Sequence, residues 1–234
     1  LFRGPFPSGA PGIFISTAAR LGHSTGVIGG VGADDFGQAI LKRLENDGVD
    51  CTYVKENNDL PTGVAFVTYF ANGDRKFLFH MGNSAAVSVG DPEDAALEGA
   101  KYFHIMGCSL SAKPEFAQAI VRMLHRMKKA GAKVSFDPNI RLELIRRPEE
   151  FQIIREVFEE TNIFMPGIEE LLTITGEKEI ETAVQACFKN PGLELLVLKR
   201  GSKGSTVYTR DGECLEMGVY PVQPVDATGA GDSY

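Results

Sequence analysis

The sequence contains no tryptophan and has only four cysteines and four histidines among its 234 residues. The cysteines, at positions 51, 108, 187 and 214, form no CxxC pair, which argues against a disulfide scaffold or a zinc ribbon. No histidine has a second ligand at helical spacing, so the histidines predict no metal site. No apolar run approaches the roughly 20 residues that span a bilayer, and a signal-peptide pattern is also missing. We therefore expect a soluble, cytoplasmic protein with reduced thiols.

Positively charged residues are fewer than negatively charged ones. The 24 lysines and arginines are outnumbered by 31 acidic residues, which gives a formal net charge of −7. This balance argues against nucleic acid or an anionic membrane as the main partner. A phosphate ligand is compatible with this negative charge, because backbone N–H groups at a helix N-terminus bind anions without net positive charge. The length suffices for one large α/β domain or two small ones.

The region from about residue 95 onward alternates regularly between strand-like and helix-like segments. Short apolar runs predict strands at 102–106, 134–136, 163–165 and 195–198, and a hairpin at 205–208 and 213–218. Helices are predicted to start at Pro114 and Pro148, with two more at 169–175 and 180–188. This pattern is typical of a doubly wound, mostly parallel sheet flanked by helices, with ligands at the carboxyl ends of its strands.

The first third of the chain has a different pattern. Helices are predicted at 13–21 and after Asp34-Asp35, and a buried strand at 27–31. Two strand-like segments, 64–69 and 76–80, flank Asn72-Gly73, and Asn-Gly is a strong signal for a two-residue hairpin turn. The sequence therefore predicts a small antiparallel hairpin beside the α/β region.

The last residues carry the clearest chemical signal. Gly229, Ala230 and Gly231 allow the backbone to approach a ligand closely, and their N–H groups could stabilise a phosphoryl group in transfer. Asp232 follows directly and could accept the proton of an attacking hydroxyl. The alternative is a glycine-rich turn in which Asp232 caps a helix.

The string DATGAGDSY resembles the C-terminal signature of the ribokinase/PfkB carbohydrate kinases, and Ser8-Gly9-Ala10-Pro11 resembles the N-terminal one. Segments 31–37, 137–141 and 199–204 continue the resemblance in order, so it covers residues 1–234. It implies a ribokinase-like kinase domain with a small β lid at about 62–85, similar to the fructokinase or 2-keto-3-deoxygluconate kinase branch. The family's first strand and the segment after the catalytic Asp are missing, so we expect both ends of the domain to be incomplete.

The resemblance also implies roles by position. The catalytic group would comprise Asp232 as the base and Gly229, Ala230 and Gly231 as the anion hole. The residues expected at the nucleotide are Lys199, Gly201, Gly204 and Asp226. Those expected at the sugar are Gly9, Ala10 and Arg141, although Arg141 could instead form a surface salt bridge. Glu170 would help to hold Mg²⁺.

Two positions depart from the family pattern. Ile13 stands where an asparagine usually hydrogen-bonds the sugar, so the contacts that select the sugar are altered. Gly167 replaces the asparagine of the Asn-x-x-Glu motif, while its glutamate is kept as Glu170. Hydrated Mg²⁺ needs few protein ligands, so the carboxylate is the more important half of the motif.

The implied activity is phosphorylation of a sugar or sugar acid that depends on ATP and Mg²⁺, in a homodimer formed through the lid. A nucleoside kinase of the same family is one alternative. A sugar- or nucleotide-binding regulator without catalysis is another, although such a regulator would not need Asp232. The sequence does not identify the sugar or the hydroxyl that is phosphorylated.

Overall fold

The computed structural model describes residues 3–70, 75–80, 82–88, 92–140, 148–222 and 228–234. The chain divides into two compact units. The first consists of Leu1–Pro92 with Asp232–Tyr234, and the second of Glu93–Gly231.

The first unit contains two helices and two small two-stranded sheets. In chain order its elements are α1 (Ala10–Arg20), β1 (Gly26–Gly32), α2 (Asp35–Asn46), β2 (Asp50–Asn57), β3 (Val64–Tyr69) and β4 (Arg75–His80). Strands β1 and β2 pair in parallel, and β3 and β4 pair antiparallel with Val64 opposite His80. The predicted hairpin strands are confirmed, while the Asn72-Gly73 turn lies outside the described residues.

Asp34 organises the start of α2. As predicted, it is the N-cap residue, and its Oδ1 accepts a hydrogen bond from the Gly37 N–H at 2.8 Å. The same carboxylate accepts bonds from Thr62, through the backbone N–H at 2.8 Å and the side-chain hydroxyl at 2.7 Å. Thr62 in turn accepts a bond from the Gly32 N–H at 2.9 Å. The side chains of Asp34 and Thr62 together thus join the end of β1, the start of α2 and the residues that lead into β3.

A close backbone approach explains one glycine of β1. A Cβ atom at Gly30 would lie 2.1 Å from the Ala85 carbonyl oxygen and 2.2 Å from that of Ser88. Both neighbours are backbone atoms of the segment that follows β4, so they cannot rotate away. Only glycine allows this segment to pack on β1.

The second unit is an α/β layer built around one sheet. Its elements are α3 (Asp94–Leu97), β5 (Tyr102–Met106), α4 (Pro114–Lys129), β6 (Lys133–Asp137), α5 (Pro148–Glu159), β7 (Ile163–Phe164), α6 (Ile168–Thr175), α7 (Ile180–Cys187), β8 (Leu195–Lys199), β9 (Ser205–Thr209) and β10 (Cys214–Met217). The strand order is β10-β9-β8-β7-β6-β5. Strands β5 to β8 are parallel, whereas β9 and β10 are antiparallel. The predicted fold class, a mostly parallel sheet flanked by helices, is confirmed.

The core of this unit lies between the sheet and its helices. Phe136 of β6 and Phe164 of β7 are fully buried, with ring centroids 5.9 Å apart. Leu124 of α4 and Leu171 of α6 are buried in the same cluster. Each of these side chains contributes about 1.5–3 kcal/mol of transfer free energy when it leaves water. This packing fixes the strands whose ends carry the polar groups described below.

The sequence patterns located most elements but missed β2. Its sequence, DCTYVKEN, carries three charged residues and is half-exposed along its length. Helix α1 also begins three residues earlier than predicted, with Pro11 in its first turn. Among the described residues, none of the helices combines the length and the apolar character that a bilayer crossing requires.

Candidate active site

Polar side chains gather at the carboxyl ends of the parallel strands of the second unit. Asp137 is the last residue of β6, and Lys199 is the last residue of β8. Between them, β7 continues as an extended segment in which Gly167 pairs in parallel with Lys199, and the Lys199 N–H donates to the Pro166 carbonyl at 2.8 Å. Functional side chains in sheets of this kind are expected at this edge.

Asp137 and Lys199 form a buried ion pair. The Lys199 Nζ lies 2.5 Å from Oδ2 of Asp137, and the two side chains are 17% and 2% exposed. Burial raises the pKa of Asp137 to about 6, and the charge of Glu170 acts in the same direction. The charge and hydrogen bond of Lys199 oppose this increase, as does the Asn139 N–H. The ammonium group is therefore the main stabiliser of the Asp137 carboxylate.

The turn after β6 is fixed from several sides. Asn139 adopts a left-handed conformation, with φ of 38°, and its N–H donates to Oδ1 of Asp137 at 3.2 Å. A Cβ atom at Gly107, the residue that follows β5, would lie 2.0 Å from the Pro138 carbonyl oxygen, so only glycine at this position allows the turn to fit. The next predicted sugar contact, Arg141, lies outside the described residues.

Glu170 links this turn to the start of α6. Its Oε1 accepts a hydrogen bond from the Ile140 N–H at 2.8 Å, and its Oε2 accepts one from the Gly167 N–H at 2.7 Å. Each carboxylate oxygen keeps a further lone pair for water or a cation. Glycine in place of the usual asparagine at 167 therefore leaves the glutamate well anchored.

The carboxylate of Glu170 offers oxygen donors, each of which already accepts one backbone N–H group. Among the described residues, no group of three or more His, Cys, Asp or Glu side chains is arranged to hold a metal. The repulsion between Glu170 and Asp137 would be relieved by a nearby cation, and carboxylate oxygens are the donors that Mg²⁺ prefers. Because Mg²⁺ usually keeps several of its waters, one or two carboxylates are enough.

The segment 199–204 forms a tight turn between β8 and β9. Gly201 and Gly204 have φ values of 57° and 84°, and the Arg200 N–H donates to the Gly204 carbonyl at 2.8 Å. A Cβ atom at Gly204 would lie 2.0 Å from the Met217 carbonyl oxygen of β10. The turn geometry alone thus requires glycine at 204, in addition to any contact with a nucleotide.

The residues predicted for the N-terminal signature lie at the start of α1. Gly9 is the N-cap residue with φ of 104°, and Ala10 is the first helical residue. The carbonyl of Gly9 accepts a hydrogen bond from the Ile13 N–H at 2.9 Å, and the Ile13 side chain is half-buried. The glycine is required here by its backbone conformation.

The C-terminal signature is described from Thr228 onward. Residues 228–233 form consecutive turns, and Gly229 has φ of 81°. A Cβ atom at Gly231 would meet no atom of the described residues within 4 Å other than those of its chain neighbours, so the space beside this glycine is open in the part of the chain that the structure describes. Asp232 is half-buried. The predicted nucleotide contact Asp226 lies outside the described residues.

Sequence reasoning assigned no role to Asp137 or His104. His104 lies in β5, with Nδ1 3.0 Å from Oγ of Ser135, and burial together with the charge of Lys199 lowers its pKa to about 3. It is therefore neutral at physiological pH and unsuited to accept a proton. The Asp-Pro-Asn string pointed to the segment containing Asp137, but its partner Lys199 lies 62 residues away.

A family model of PfkB carbohydrate kinases matches residues 9–234. The chain belongs to this family. Among curated PfkB relatives, fructokinase-2 of Solanum lycopersicum is 33% identical over 232 residues, which cover 97% of this chain and 70% of the relative. The match to the family and to named fructokinases makes this PfkB protein a carbohydrate kinase, an enzyme that phosphorylates a sugar with ATP.

Solved structures agree with this placement. An E. coli protein described as a ribokinase II, solved with ATP and Mg²⁺, is 38% identical, with a TM-score of 0.91 over 100% of this chain and 74% of the other. The fructokinase of Vibrio cholerae O395, solved as a mutant with fructose, ADP and potassium, is 27% identical, with a TM-score of 0.82 over 96% and 72%.

Proposed function

We propose that this PfkB kinase transfers the γ-phosphoryl group of ATP to a primary hydroxyl of fructose or of a related sugar or sugar acid, with Asp232 as the base. The observation that carries the proposal is the family match, which extends to the last residue and includes the Gly229–Asp232 turn. The choice of sugar follows the names of the relatives, several of which are fructokinases.

Asp232 accepts the hydroxyl proton as the oxygen attacks phosphorus. The adjacent N–H groups of Gly229, Ala230 and Gly231 stabilise the charge on the migrating phosphoryl group. The open space beside Gly231 supports this role, because a backbone without a Cβ can approach an anion closely.

Nucleotide and sugar bind through different segments of residues 1–234, which we take as one ribokinase-like kinase domain. Lys199, Gly201, Gly204 and Asp226 contact the nucleotide. Gly9, Ala10 and Arg141 contact the sugar, and the guanidinium of Arg141 suits a carboxylate or several hydroxyls. Mg²⁺, held through water near Glu170, would neutralise phosphate charge.

The antiparallel pair β3–β4, within the lid at about 62–85, covers the sugar and joins two copies of the chain. Phe66 and Leu78 lie opposite each other on one face and are 41% and 57% exposed. Two strands alone are rarely stable in water, and an exposed apolar pair needs a partner surface. Closure over the sugar would exclude water and prevent hydrolysis of ATP. A cytoplasmic location, where ATP is abundant, fits this function.

A substrate panel tests the proposal. ADP formation is measured with the purified protein, ATP and Mg²⁺ in the presence of fructose, 2-keto-3-deoxygluconate, ribose or nucleosides, and mass spectrometry identifies the product. We expect ADP release that depends on fructose or a sugar acid, with one phosphate added to that sugar. Turnover only with nucleosides, or ATP binding with no turnover on any acceptor, would contradict the proposed substrate class.

A further inference from the structure

The buried ion pair at the sheet edge is the starting point. The backbone of Lys199 is fixed within β8, but its four-carbon side chain could adopt many rotamers if nothing held the ammonium group. The Asp137 carboxylate, 2.5 Å from Nζ, holds the ammonium at the carboxyl end of β6. Asp137 itself is fixed, because it is 2% exposed and its Oδ1 accepts a bond from the Asn139 N–H.

The carboxylate of Glu170 has different hydrogen-bond partners from that of Asp137. Both oxygens of Glu170 accept backbone N–H groups, from Ile140 and Gly167, so Glu170 fixes loops rather than the lysine. Asp137 is the carboxylate for which the structure gives a bond to the Lys199 ammonium. The two acidic residues therefore have separate tasks although they lie near each other.

We propose that Asp137 is a positioning residue that holds the Lys199 ammonium in place for the phosphates of ATP. This inference rests on the proposed role of Lys199 in the nucleotide site. The ammonium has three donor hydrogens, so one can bond Asp137 while the others remain for phosphate oxygens. The 17% exposure of the Lys199 side chain is consistent with an ammonium that a ligand can reach. Asp137 does not act as a base, because its carboxylate accepts a hydrogen bond from the lysine.

A double-mutant cycle with ATP binding as the readout tests the pair. The dissociation constant of ATP is measured by calorimetry in EDTA, so that metal binding does not contribute, for the Asp137→Asn, Lys199→Met and doubly substituted proteins. We expect each single substitution to weaken ATP binding roughly tenfold, the size of one charge-assisted hydrogen bond. The double variant should bind no more weakly than Lys199→Met, because Asp137 has no effect without the lysine. In turnover assays, Asp137→Asn should raise KM for ATP and leave KM for the sugar nearly unchanged.

A matched control is available on the same strand. Lys133 of β6 forms an ion pair with Glu194 at the same 2.5 Å distance, but at the opposite end of the strand and with both side chains about half-exposed. Glu194→Gln removes a lysine–carboxylate pair without touching the candidate site, so ATP affinity should stay at the wild-type value. A loss equal to that of Asp137→Asn would show that affinity follows general sheet stability, which would overturn the inference.

The remaining outcomes separate the inference from the function on which it rests. If Lys199→Met leaves ATP affinity unchanged, the proposed nucleotide role of Lys199 is wrong. Two outcomes would show that the positioning role of Asp137 is wrong while the nucleotide role of Lys199 stands. In the first, Lys199→Met weakens ATP binding but Asp137→Asn does not. In the second, Asp137→Asn reduces ATP affinity by the same factor in the Lys199→Met protein as in the wild type. If Asp137→Asn does not fold, NMR of the wild-type protein tests the pair. The Lys199 ammonium protons, assigned by comparison with Lys199→Arg, should exchange slowly with water, and their resonance should shift when ATP is added. A fast-exchanging or unshifted resonance would overturn the inference.

Discussion

Replacing Asp34, the N-cap residue of α2, with alanine should destabilise the first unit more than replacing an exposed residue within the helix. The change removes three hydrogen bonds to one carboxylate, namely the N-cap bond from the Gly37 N–H and the bonds from the N–H and hydroxyl of Thr62. An N-cap is worth about 1 kcal/mol and a bond to a charged group about 1.5–3 kcal/mol, so with partial replacement by water we expect a loss of about 2–4 kcal/mol. For a chain of this size such a loss lowers the midpoint of thermal unfolding by roughly 4–16 °C.

The effect should depend on pH with a defined sign. The Thr62 N–H and hydroxyl, followed by the Gly37 and Phe36 N–H groups, hold the pKa of Asp34 below its ordinary value, against the opposing effect of burial. A lowered pKa stabilises the folded state above the unfolded pKa, near 4, and this contribution is lost as pH falls through the folded pKa. The difference in melting temperature between wild type and Asp34→Ala should therefore be full at pH 7 and should shrink below about pH 4.

Thermal unfolding, followed by circular dichroism at pH 7 and below about pH 4, measures the difference in melting temperature. Asp35→Ala is the matched control, because Asp35 is the exposed neighbour in the first turn of α2 and contributes mainly through the helix dipole. Asp34→Asn should lose less than Asp34→Ala, since the amide oxygen still accepts a bond. Equal melting temperatures for Asp34→Ala and Asp35→Ala, or a difference that does not change with pH, would refute the reasoning.

Three further outcomes are expected. Gly231→Val should fold normally, because the added Cβ meets open space, but should abolish phosphoryl transfer by blocking backbone approach to the phosphoryl group; retained turnover would make the turn purely structural. Arg141→Ala should raise KM for the sugar with ATP affinity almost unchanged, and an equal loss for both ligands, or for neither, would count against a sugar contact. Light scattering at micromolar concentration should show a dimer that Phe66→Ser with Leu78→Ser converts to monomer, whereas a wild-type monomer would end the lid proposal.

Local signals were sufficient for much of the fold. Helix α4 could be predicted from Pro114 at its start and from the spacing of its buried residues, which include Met123, Leu124 and Met127. The parallel strands were visible as short apolar runs because both of their faces are covered. Strand β2 was missed for the opposite reason: it is half-exposed, and its charged residues weaken the pattern.

The candidate site also has features that can be predicted from the sequence and features that cannot. Contiguous motifs such as the Gly229–Asp232 turn could be located from the sequence because their chemistry depends on neighbouring residues. The Asp137–Lys199 pair could not, because it depends on the order in which β6, β7 and β8 lie in the sheet. The sequence likewise does not show that Glu170 is occupied by the N–H groups of Ile140 and Gly167. Such contacts arise from topology, which periodicity alone does not determine.

The role of Asp232 as the base is the central claim, and the turnover of Asp232→Asn tests it most directly. The amide keeps the shape of the side chain and removes its basicity, so kcat for sugar phosphorylation should fall about 10²–10⁴-fold. The dissociation constant of ATP should stay close to that of wild type, and Asp211→Asn, in the exposed turn between β9 and β10, should retain full turnover. A kcat for Asp232→Asn near the wild-type value would remove Asp232 from the mechanism and contradict the account.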